Sequence, residues 1–317
     1  MKPLLDDSRN LLFLSLLSFV FIASSALAIS RETKLERAKE VAISKSFTPI
    51  PILAEDASFP VLSAQAVLAV DLDSSVTLYE KNPEKLLLPA STTKIVTALV
   101  AMDYYPKDAV LKVGKVQVEG QKMRLVEGEE ITAEGLLYGL LVYSANDAAE
   151  VLADNFPGGR GLFIAAMNLK IKQLHLENTH FTNPSGLDGN GHVSTAKDLI
   201  RVSEVAMENE QFRQIVGTKE KEVASIDGRI KHRLVNINEL LGKVEGVLGV
   251  KTGWTEDARE NLVTYIEKDG RKIMIVLLAS QDRFGETEEL IEWIFEKYTW
   301  QEVNFTSKRV ILRNIPG

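Results

Sequence analysis

Apolar and polar positions follow two periods along the chain, and the period changes twice. Apolar-rich runs over 66–72 and 76–80 flank the turn Asp73-Ser74-Ser75 and predict a β-hairpin. From about residue 89 to 217, apolar residues recur every three or four positions, which predicts helices. These helical runs are 95–102, 133–142, 148–152, 162–174 and 196–207.

Strand-like runs return after residue 220, and a last helix follows them. The runs are 222–225, 230–235, 249–252, 261–266 and 272–279, the last two joined by the turn Lys268-Asp269-Gly270. The helix is predicted over Glu286–Trp300, with an apolar face of Leu290, Ile291, Ile294, Phe295 and Tyr298. Strands at both ends with helices between them predict an α+β fold. We expect an antiparallel sheet formed from both ends of the domain, covered by helices, with an inserted, mostly helical subdomain.

Residues 1–29 are predicted to be a signal peptide or an N-terminal membrane anchor. The 19 residues 11–29 are apolar apart from serines, which is long enough to span a bilayer. Ala26-Leu27-Ala28 fits a signal cleavage site. More basic residues follow the run than precede it, which opposes the orientation of an uncleaved anchor and favours cleavage. Either alternative implies export.

The remaining chain is predicted to have three parts. Residues 30–58 are polar and then proline-containing, which predicts a stalk and an extended linker, since a residue before proline avoids the helical region. The main domain is predicted over 59–300. Residues 301–317 form a short tail, too short for a second C-terminal domain.

Composition excludes several kinds of chemistry. The 317 residues carry a net charge of −7, so no broadly basic surface is available for nucleic acid. There is no Cys, which removes disulfides, thiolate metal sites and thiol nucleophiles. The four His do not form an H-E-x-x-H zinc motif. An enzyme with this composition works without Cys and has few His to use.

The first candidate for chemistry is Ser91-Thr92-Thr93-Lys94, at the start of an apolar helix. Positions i and i+3 of a helix share a face, so the Lys94 amine lies beside the Ser91 hydroxyl and can serve as its base if burial lowers its pKa. The alternative is a simple helix N-cap, and a second S-x-x-K match at Ser194–Lys197 is interpreted in that way.

Two further triplets follow in the chain. Ser144-Ala145-Asn146 interrupts two helical runs and offers a hydroxyl and an amide, although most such triplets are plain turns. Lys251-Thr252-Gly253 ends an apolar run and offers a cation, a hydroxyl and a glycine that admits a substrate backbone. A nucleotide-binding loop would need Gly directly before the Lys, where Val250 stands.

The order of the three motifs is that of penicillin-recognising serine enzymes. Over residues 59–300 the chain resembles the serine-type D-alanyl-D-alanine carboxypeptidases, the low-molecular-mass penicillin-binding proteins with a β-lactamase/DD-peptidase-like fold. Further segments that resemble this family are 88–94, 144–148, 183–187, 194–198 and 249–255.

The resemblance implies catalytic roles for Ser91, Lys94, Ser144 and Asn146. Ser91 would attack the carbonyl of the penultimate D-Ala and form an acyl-enzyme, with Lys94 as proton acceptor. Ser144 and Asn146 would relay the proton and orient the peptide. No metal and no cofactor is implied.

The resemblance also implies substrate-binding roles for Lys251, Thr252, Gly253, Trp254 and Arg283. Lys251 would help to keep Lys94 neutral, and the backbone N–H groups of Ser91 and Trp254 would form the oxyanion hole. Arg283, with Thr252, would receive the terminal carboxylate, the alternative being a solvated surface arginine.

One position departs from the family pattern. Arg259 follows Ala258 where the family usually has Gly, so a local rearrangement of this loop is expected.

The expected function is removal of the terminal D-Ala from peptidoglycan stem peptides in cell-wall biosynthesis and remodelling, outside the cytoplasmic membrane or in the periplasm or wall. The expected partners are stem peptides ending in D-Ala-D-Ala and β-lactams as covalent inhibitors. We expect no binding of nucleic acid, and contact with a membrane only through the N-terminal segment. The alternatives are a DD-endopeptidase acting on cross-linked stems and a penicillin-binding sensor without turnover. A β-lactamase is disfavoured because no E-x-x-L-N-type stretch lies between Asn146 and Lys251.

Overall fold

The computed structural model describes residues 22–25 and 48–302. Residues 22–25 form a helical turn, and the remainder of the predicted signal or anchor segment lies outside the described residues, as do most of the predicted stalk and tail. Within the described ranges, no helix has both the length and the apolar character needed to cross a bilayer.

Antiparallel strands and helices make up residues 48–302, as predicted. The strands are β1 (Ile50–Leu53), β2 (Ala66–Asp71), β3 (Val76–Lys81), β4 (Val110–Lys112), β5 (Glu130–Thr132), β6 (Glu220–Ala224), β7 (Lys231–Val235), β8 (Val247–Thr255), β9 (Arg259–Lys268), β10 (Arg271–Ser280) and β11 (Tyr298–Gln301). The helices are α1 (Lys94–Tyr104), α2 (Ala133–Leu141), α3 (Asn146–Asp154), α4 (Gly159–Gln173), α5 (Ala196–Glu208), α6 (Glu210–Val216) and α7 (Arg283–Lys297).

The main sheet has five strands in the order β3-β2-β10-β9-β8, all antiparallel. Strands from the two ends of the domain therefore meet at its centre, β2 against β10, which confirms the predicted α+β class. The helices α1 to α6 come from the insertion between β3 and β8. Three two-stranded ladders, β1-β11, β4-β5 and β6-β7, lie outside this sheet.

The sheet separates two apolar cores because alternate residues of a strand face opposite sides. On one side Leu68 and Val276 pack with the inserted helices, and α5 contacts β2, β9 and β10. On the other side Val67 and Leu277 pack with residues of α7. The edge strand β8 carries the Lys251-Thr252-Gly253 motif, and the short turn before α1 contacts it.

The predicted helix over 286–300 is wrong at its C-terminal end. α7 ends at Lys297, and Tyr298 adopts an extended backbone and begins β11, paired with Leu53 of β1. The apolar period placed Tyr298 on the helix face because the residue is apolar, and its ring is indeed buried, but from a strand. Its hydroxyl donates a hydrogen bond to the Leu78 carbonyl at 2.7 Å, which the strand geometry allows.

Part of the predicted linker is joined to the folded domain. β1 lies within 48–58, where the prolines are compatible with extended backbone, and its four residues pair with β11. Trp293 of α7 donates a hydrogen bond to the Ser58 carbonyl at 2.7 Å. The contacts of the folded domain therefore extend N-terminal to residue 59.

Candidate active site

Ser91 lies in a single 3-10 turn, Ala90–Thr93, that leads directly into α1. The turn begins with Ala90 in a left-handed conformation, φ 47°. Lys94 is the first residue of α1, three positions after Ser91, and its Nζ lies 2.8 Å from Ser91 Oγ. Ser91 is half-buried, so its hydroxyl is accessible from the cleft.

Lys94 is completely buried, and its amine faces three oxygens. Besides Ser91 Oγ these are Asn146 Oδ1 at 2.7 Å and the backbone carbonyl of Ser185. Burial lowers the pKa of Lys94 to about 7, while the nearby carboxylates of Glu150 and Asp147 act in the opposite direction. Near neutral pH a large share of this amine is therefore uncharged.

The chemistry of the atoms around Lys94 determines which atom donates in each hydrogen bond. The Asn146 amide nitrogen donates to the Glu119 carbonyl at 2.7 Å, so its Oδ1 is the atom that faces Lys94. Asn146 Oδ1 and the Ser185 carbonyl can only accept, and a neutral amine has two N–H donors and one lone pair. Both donors are then used, and the lone pair points to the Ser91 hydroxyl. This geometry suits removal of the Ser91 proton.

Ser144 and Lys251 form a second hydroxyl–amine pair. Ser144 lies between α2 and α3 in a left-handed conformation, φ 61°, and Lys251 Nζ donates to its Oγ at 2.8 Å. Lys251 also donates to the Thr252 carbonyl at 2.9 Å. Burial first, and then the cations Lys94 and Arg283, hold the pKa of Lys251 well below its usual range. Because Ser144 Oγ accepts from Lys251, its own proton is free to be donated.

The edge strand β8 brings the third motif to the nucleophile. A Cβ at Gly253 would lie 3.0 Å from the Pro89 carbonyl oxygen and 3.2 Å from the Ser91 nitrogen, so glycine allows this close approach. Trp254 follows it on β8, with 62% of its surface exposed.

Thr252 Oγ1 on β8 and Arg283 Nε are among the buried polar atoms that lack a hydrogen-bond partner among the described residues. Arg283, at the start of α7, donates from its Nη1 to the Gly253 carbonyl at 3.0 Å. The Thr252 hydroxyl and the Nε–H of Arg283 are donors of the kind from which a carboxylate accepts hydrogen bonds. Because its Nε is buried and its Nη1 binds the Gly253 carbonyl, Arg283 is not a fully solvated surface arginine.

The chain resembles a known protein family over most of its length. The model of the peptidase S11 family, described as D-alanyl-D-alanine carboxypeptidase, matches residues 54–282. The chain belongs to this family.

Curated relatives include both carboxypeptidases and endopeptidases. D-alanyl-D-alanine carboxypeptidase DacB2 of Mycobacterium tuberculosis is 38% identical over 73% of this chain and 82% of the relative. DacF of Bacillus subtilis is 33% identical over 74% of this chain, which spans 63% of DacF, less than two thirds of its length. A D-alanyl-D-alanine endopeptidase of Pseudomonas aeruginosa is 31% identical over 74% of this chain and 77% of the relative.

Solved structures of the family share the fold. The DD-transpeptidase of Streptomyces K15 superposes with a TM-score of 0.72 at 30% identity, covering 76% of this chain and all of that one. A penicillin-binding protein homologue from Mycobacterium tuberculosis gives a TM-score of 0.72 at 32% identity, covering 80% of this chain and 99% of the other.

The departure from the family pattern at Arg259 is accommodated in the hairpin between β8 and β9. Arg259 adopts φ 59°, a conformation that favours glycine, with its side chain exposed. It still pairs with Thr255, whose hydroxyl accepts a hydrogen bond from the Ala258 nitrogen at 3.0 Å. The arginine is thus held in a backbone conformation typical of glycine without loss of the strand pairing.

Several groups that build the site were not predicted from residue type. The carbonyls of Ser185, Glu119 and Gln121 hold Lys94 and Asn146, and every residue type carries such a carbonyl. Gly186 has φ 84°, and a Cβ there would lie 2.1 Å from the Ala90 carbonyl oxygen. The only available signal was the family resemblance of 183–187.

His192 forms a hydrogen bond to the turn Ala90–Thr93 that carries Ser91. Its Nδ1 accepts a hydrogen bond from the Thr182 nitrogen at 3.0 Å, so its Nε2 is the protonated nitrogen and donates to Thr93 Oγ1 at 2.8 Å. Burial lowers the pKa of His192 to about 4, with smaller effects of His180 and Lys94 in the same direction. His192 is therefore a neutral structural group at physiological pH.

Proposed function

We propose that this protein is a serine-type D-Ala-D-Ala carboxypeptidase that removes the terminal D-Ala from peptidoglycan stem peptides. The observation that carries the proposal is the Lys94 amine, buried, with a pKa of about 7, and with two N–H groups engaged so that its lone pair faces Ser91. Such a pair supplies an activated serine near neutral pH without a catalytic histidine.

In the first half of the reaction, Ser91 Oγ attacks the carbonyl carbon of the penultimate D-Ala while its proton passes to Lys94. The developing oxyanion is stabilised by the backbone N–H groups of Ser91 and Trp254. Ser144 then donates a proton to the leaving nitrogen, and Ser144 is reprotonated from the neighbouring amines. The peptide bond breaks, free D-Ala departs and an ester to Ser91 remains. In the second half, water gives its proton to Lys94 and attacks the ester carbonyl. The bond to Ser91 Oγ then breaks, Ser91 takes the proton back from Lys94, and the shortened peptide leaves with a new C-terminal carboxyl group.

Selection of a C-terminal residue rests on Thr252 and Arg283. Their unpaired hydroxyl and guanidinium nitrogen are suited to the terminal carboxylate of the substrate. The net charge of −7 of the whole chain does not oppose binding of this carboxylate, since the two groups act at short range.

The test combines covalent labelling and product release. A fluorescent penicillin should label the wild-type protein covalently and fail to label Ser91→Ala. A pentapeptide ending in D-Ala-D-Ala should release D-Ala. Absence of Ser91-dependent labelling would overturn the proposal, and labelling without any release of D-Ala would indicate a sensor.

A DD-endopeptidase is the second candidate, because relatives of about 30% identity carry that name. The same assay with a cross-linked peptide dimer separates the two activities. Cleavage of the dimer but not of the pentapeptide would select the endopeptidase.

We propose further that the catalytic domain works outside the cytoplasm, where peptidoglycan lies, and that residues 1–29 direct its export. The contact with the membrane would be through this segment alone. The mass of the mature protein recovered from cells tests the proposal, since cleavage after Ala28 removes the segment and an anchor keeps it.

A further inference from the structure

Two buried titratable side chains, His232 of β7 and Glu129 just before β5, form a pair that the proposed reaction does not use. The two residues retain 6% and 5% exposure, and His232 Nε2 lies 2.8 Å from Glu129 Oε1. The other ring nitrogen, Nδ1, lies 2.9 Å from the Met123 carbonyl oxygen. Both nitrogens of the His232 ring therefore face oxygen atoms.

This geometry determines where the protons of the pair lie. A carbonyl can only accept, so His232 Nδ1 carries a proton and donates it to Met123. A second proton must then lie between His232 Nε2 and Glu129, on the ring or on the carboxyl group. Glu129 Oε2 accepts from the Val126 nitrogen at 3.0 Å. These hydrogen bonds make the buried pair a rigid attachment between β7 and the loop 113–129.

The loop 113–129 connects β4 to β5 and holds Asn146 by two backbone carbonyls. The Asn146 side-chain nitrogen donates to the Glu119 carbonyl at 2.7 Å, and its backbone nitrogen donates to the Gln121 carbonyl at 2.7 Å. The oxygen of the same side-chain amide faces Lys94 at 2.7 Å. The position of this loop therefore determines the orientation of the amide that contacts Lys94.

The next part of the loop binds Asp147, the residue after Asn146. Asp147 Oδ1 accepts from the Met123 nitrogen at 3.0 Å, and its Oδ2 accepts from the Leu125 nitrogen at 3.1 Å. Met123 thus donates its N–H to the first turn of α3, while its carbonyl accepts from His232. The hydrogen bonds of this one residue connect α3 to β7.

We propose that His232 and Glu129 are positioning residues for Asn146: by attaching the loop 113–129 to β7, they hold the Asn146 amide in the orientation that engages Lys94. Their effect on the reaction passes through the loop. The proposal rests on the proposed function, since that function gives Asn146 its part in the reaction.

The first measurement is the rate of covalent labelling of Ser91 by penicillin in His232→Leu. Leucine donates to neither oxygen, so the loop loses its attachment to β7, and labelling should be about tenfold slower. Arg233→Leu is the matched control on the same strand. Arg233 is exposed and pairs with Glu220, so its substitution should leave the rate unchanged. Urea unfolding and circular dichroism establish that each variant is folded at the assay temperature.

Substitutions of Glu129 test the arrangement of hydrogen bonds. Glu129→Leu should slow labelling as His232→Leu does. In Glu129→Gln the amide can donate to His232 Nε2 and accept from the Val126 nitrogen, so the network is kept without a charge and most of the rate should be recovered. The double variant His232→Leu/Glu129→Leu leaves neither member of the pair buried alone, so it should fold even if the single variants do not, and it should be equally slow.

A double-mutant cycle distinguishes positioning from a merely structural role. If His232 acts through Asn146, His232→Leu should slow labelling by less than about twofold in the Asn146→Ala background. The slow labelling of that background is followed over correspondingly longer times.

The outcomes separate this role from the proposed function. If penicillin does not label Ser91 of the wild-type protein, the proposed function fails. If it does, and the folded His232→Leu and His232→Leu/Glu129→Leu variants react at the wild-type rate, the function stands and the positioning role is wrong. An equal loss with and without Asn146, or a Glu129→Gln variant as slow as Glu129→Leu, also overturns the positioning role.

Discussion

At the scale of single residues, Lys94 determines how the reaction depends on pH. Its pKa is lowered to about 7 because the amine is buried, and only the neutral amine can accept the Ser91 proton. The rate of acylation by penicillin should therefore rise with pH, reach half its maximum near pH 7, and fall tenfold per unit below that value. The measurement is the second-order rate of labelling between pH 5 and 9.

Glu150→Gln provides the check on this assignment. The Glu150 carboxylate favours the charged form of Lys94, so its removal should move the midpoint of the pH profile to lower pH. A profile that is flat from pH 5 to 9 in the wild-type protein would contradict the role of Lys94.

Arg283 decides whether a free carboxylate is required. In Arg283→Gln, kcat/KM for a peptide ending in D-Ala-D-Ala should fall by about 10- to 100-fold, the value of a hydrogen bond to a charged group. The same peptide with a C-terminal amide should be a poor substrate of both proteins and should show little difference between them.

An equal loss on both peptides would show that Arg283 acts through the strand instead. It donates to the Gly253 carbonyl, so its removal could displace β8. Thr252→Val, which removes the unpaired hydroxyl at constant volume, should reproduce the selective loss.

Residue spacing predicted part of this site. Ser91 and Lys94 are three positions apart in one turn, so their contact follows from local geometry. The carbonyl of Ser185 could not be predicted, since nothing in a side chain marks which backbone oxygen a distant lysine will meet. Likewise, no sequence pattern showed that Glu150 and Arg160 would form an ion pair.

At the scale of elements, Gly186 allows the 183–187 loop to lie against the nucleophile turn. A Cβ there would lie 2.1 Å from the Ala90 carbonyl oxygen, and φ is 84°. Gly186→Ala should destabilise the fold by about 2–4 kcal/mol through strain and overpacking and should slow acylation at least tenfold by moving Ser91. Urea unfolding and the rate of penicillin labelling measure the two effects.

Gly191→Ala is the matched control for this substitution. Gly191 has φ 76°, nearly that of Gly186, but a Cβ would meet nothing within 4 Å. It should cost about 1–2 kcal/mol of backbone strain and leave acylation unchanged. Equal slowing of acylation in both variants would contradict the importance of the contact with Ala90.

The hairpins were predictable because their turns are local, whereas the chain-end ladder was not. Asp73-Ser74-Ser75 and Lys268-Asp269-Gly270 lie in turns between consecutive paired strands. β1 and β11 pair with each other although they lie near opposite ends of the domain in sequence. No pattern within either segment indicates which strand is its partner. The short ladder of β4 and β5 was missed for the same reason.

At the scale of the whole domain, the main sheet has the β1–β11 ladder at one edge and the candidate active site at the other. β8, with Lys251 and Thr252, forms one edge, while β3 forms the other and contacts β1. The inserted helices bring Ser91, Ser144 and Asn146 to the β8 edge only. We therefore expect the β1–β11 ladder to contribute to stability without affecting the geometry of the site.

This separation predicts the effect of deleting β1. A protein that starts at residue 59 lacks the pairing of β1 with β11 and the burial of Pro51 and Leu53. Compared with a protein that starts at residue 48, it should lose about 2 kcal/mol of stability. Its Tm should be lower by roughly 4–8 °C for a domain of this size.

Acylation provides the second half of the test. Well below both melting temperatures, the two proteins should react with penicillin at the same rate, because β1 is remote from the edge that carries the site. Slower acylation by the shorter protein, at a temperature where both are fully folded, would mean that strain or motion at the β3 edge reaches Ser91 through the sheet. Equal melting temperatures would contradict the predicted contribution of β1 and its pairing with β11 to stability.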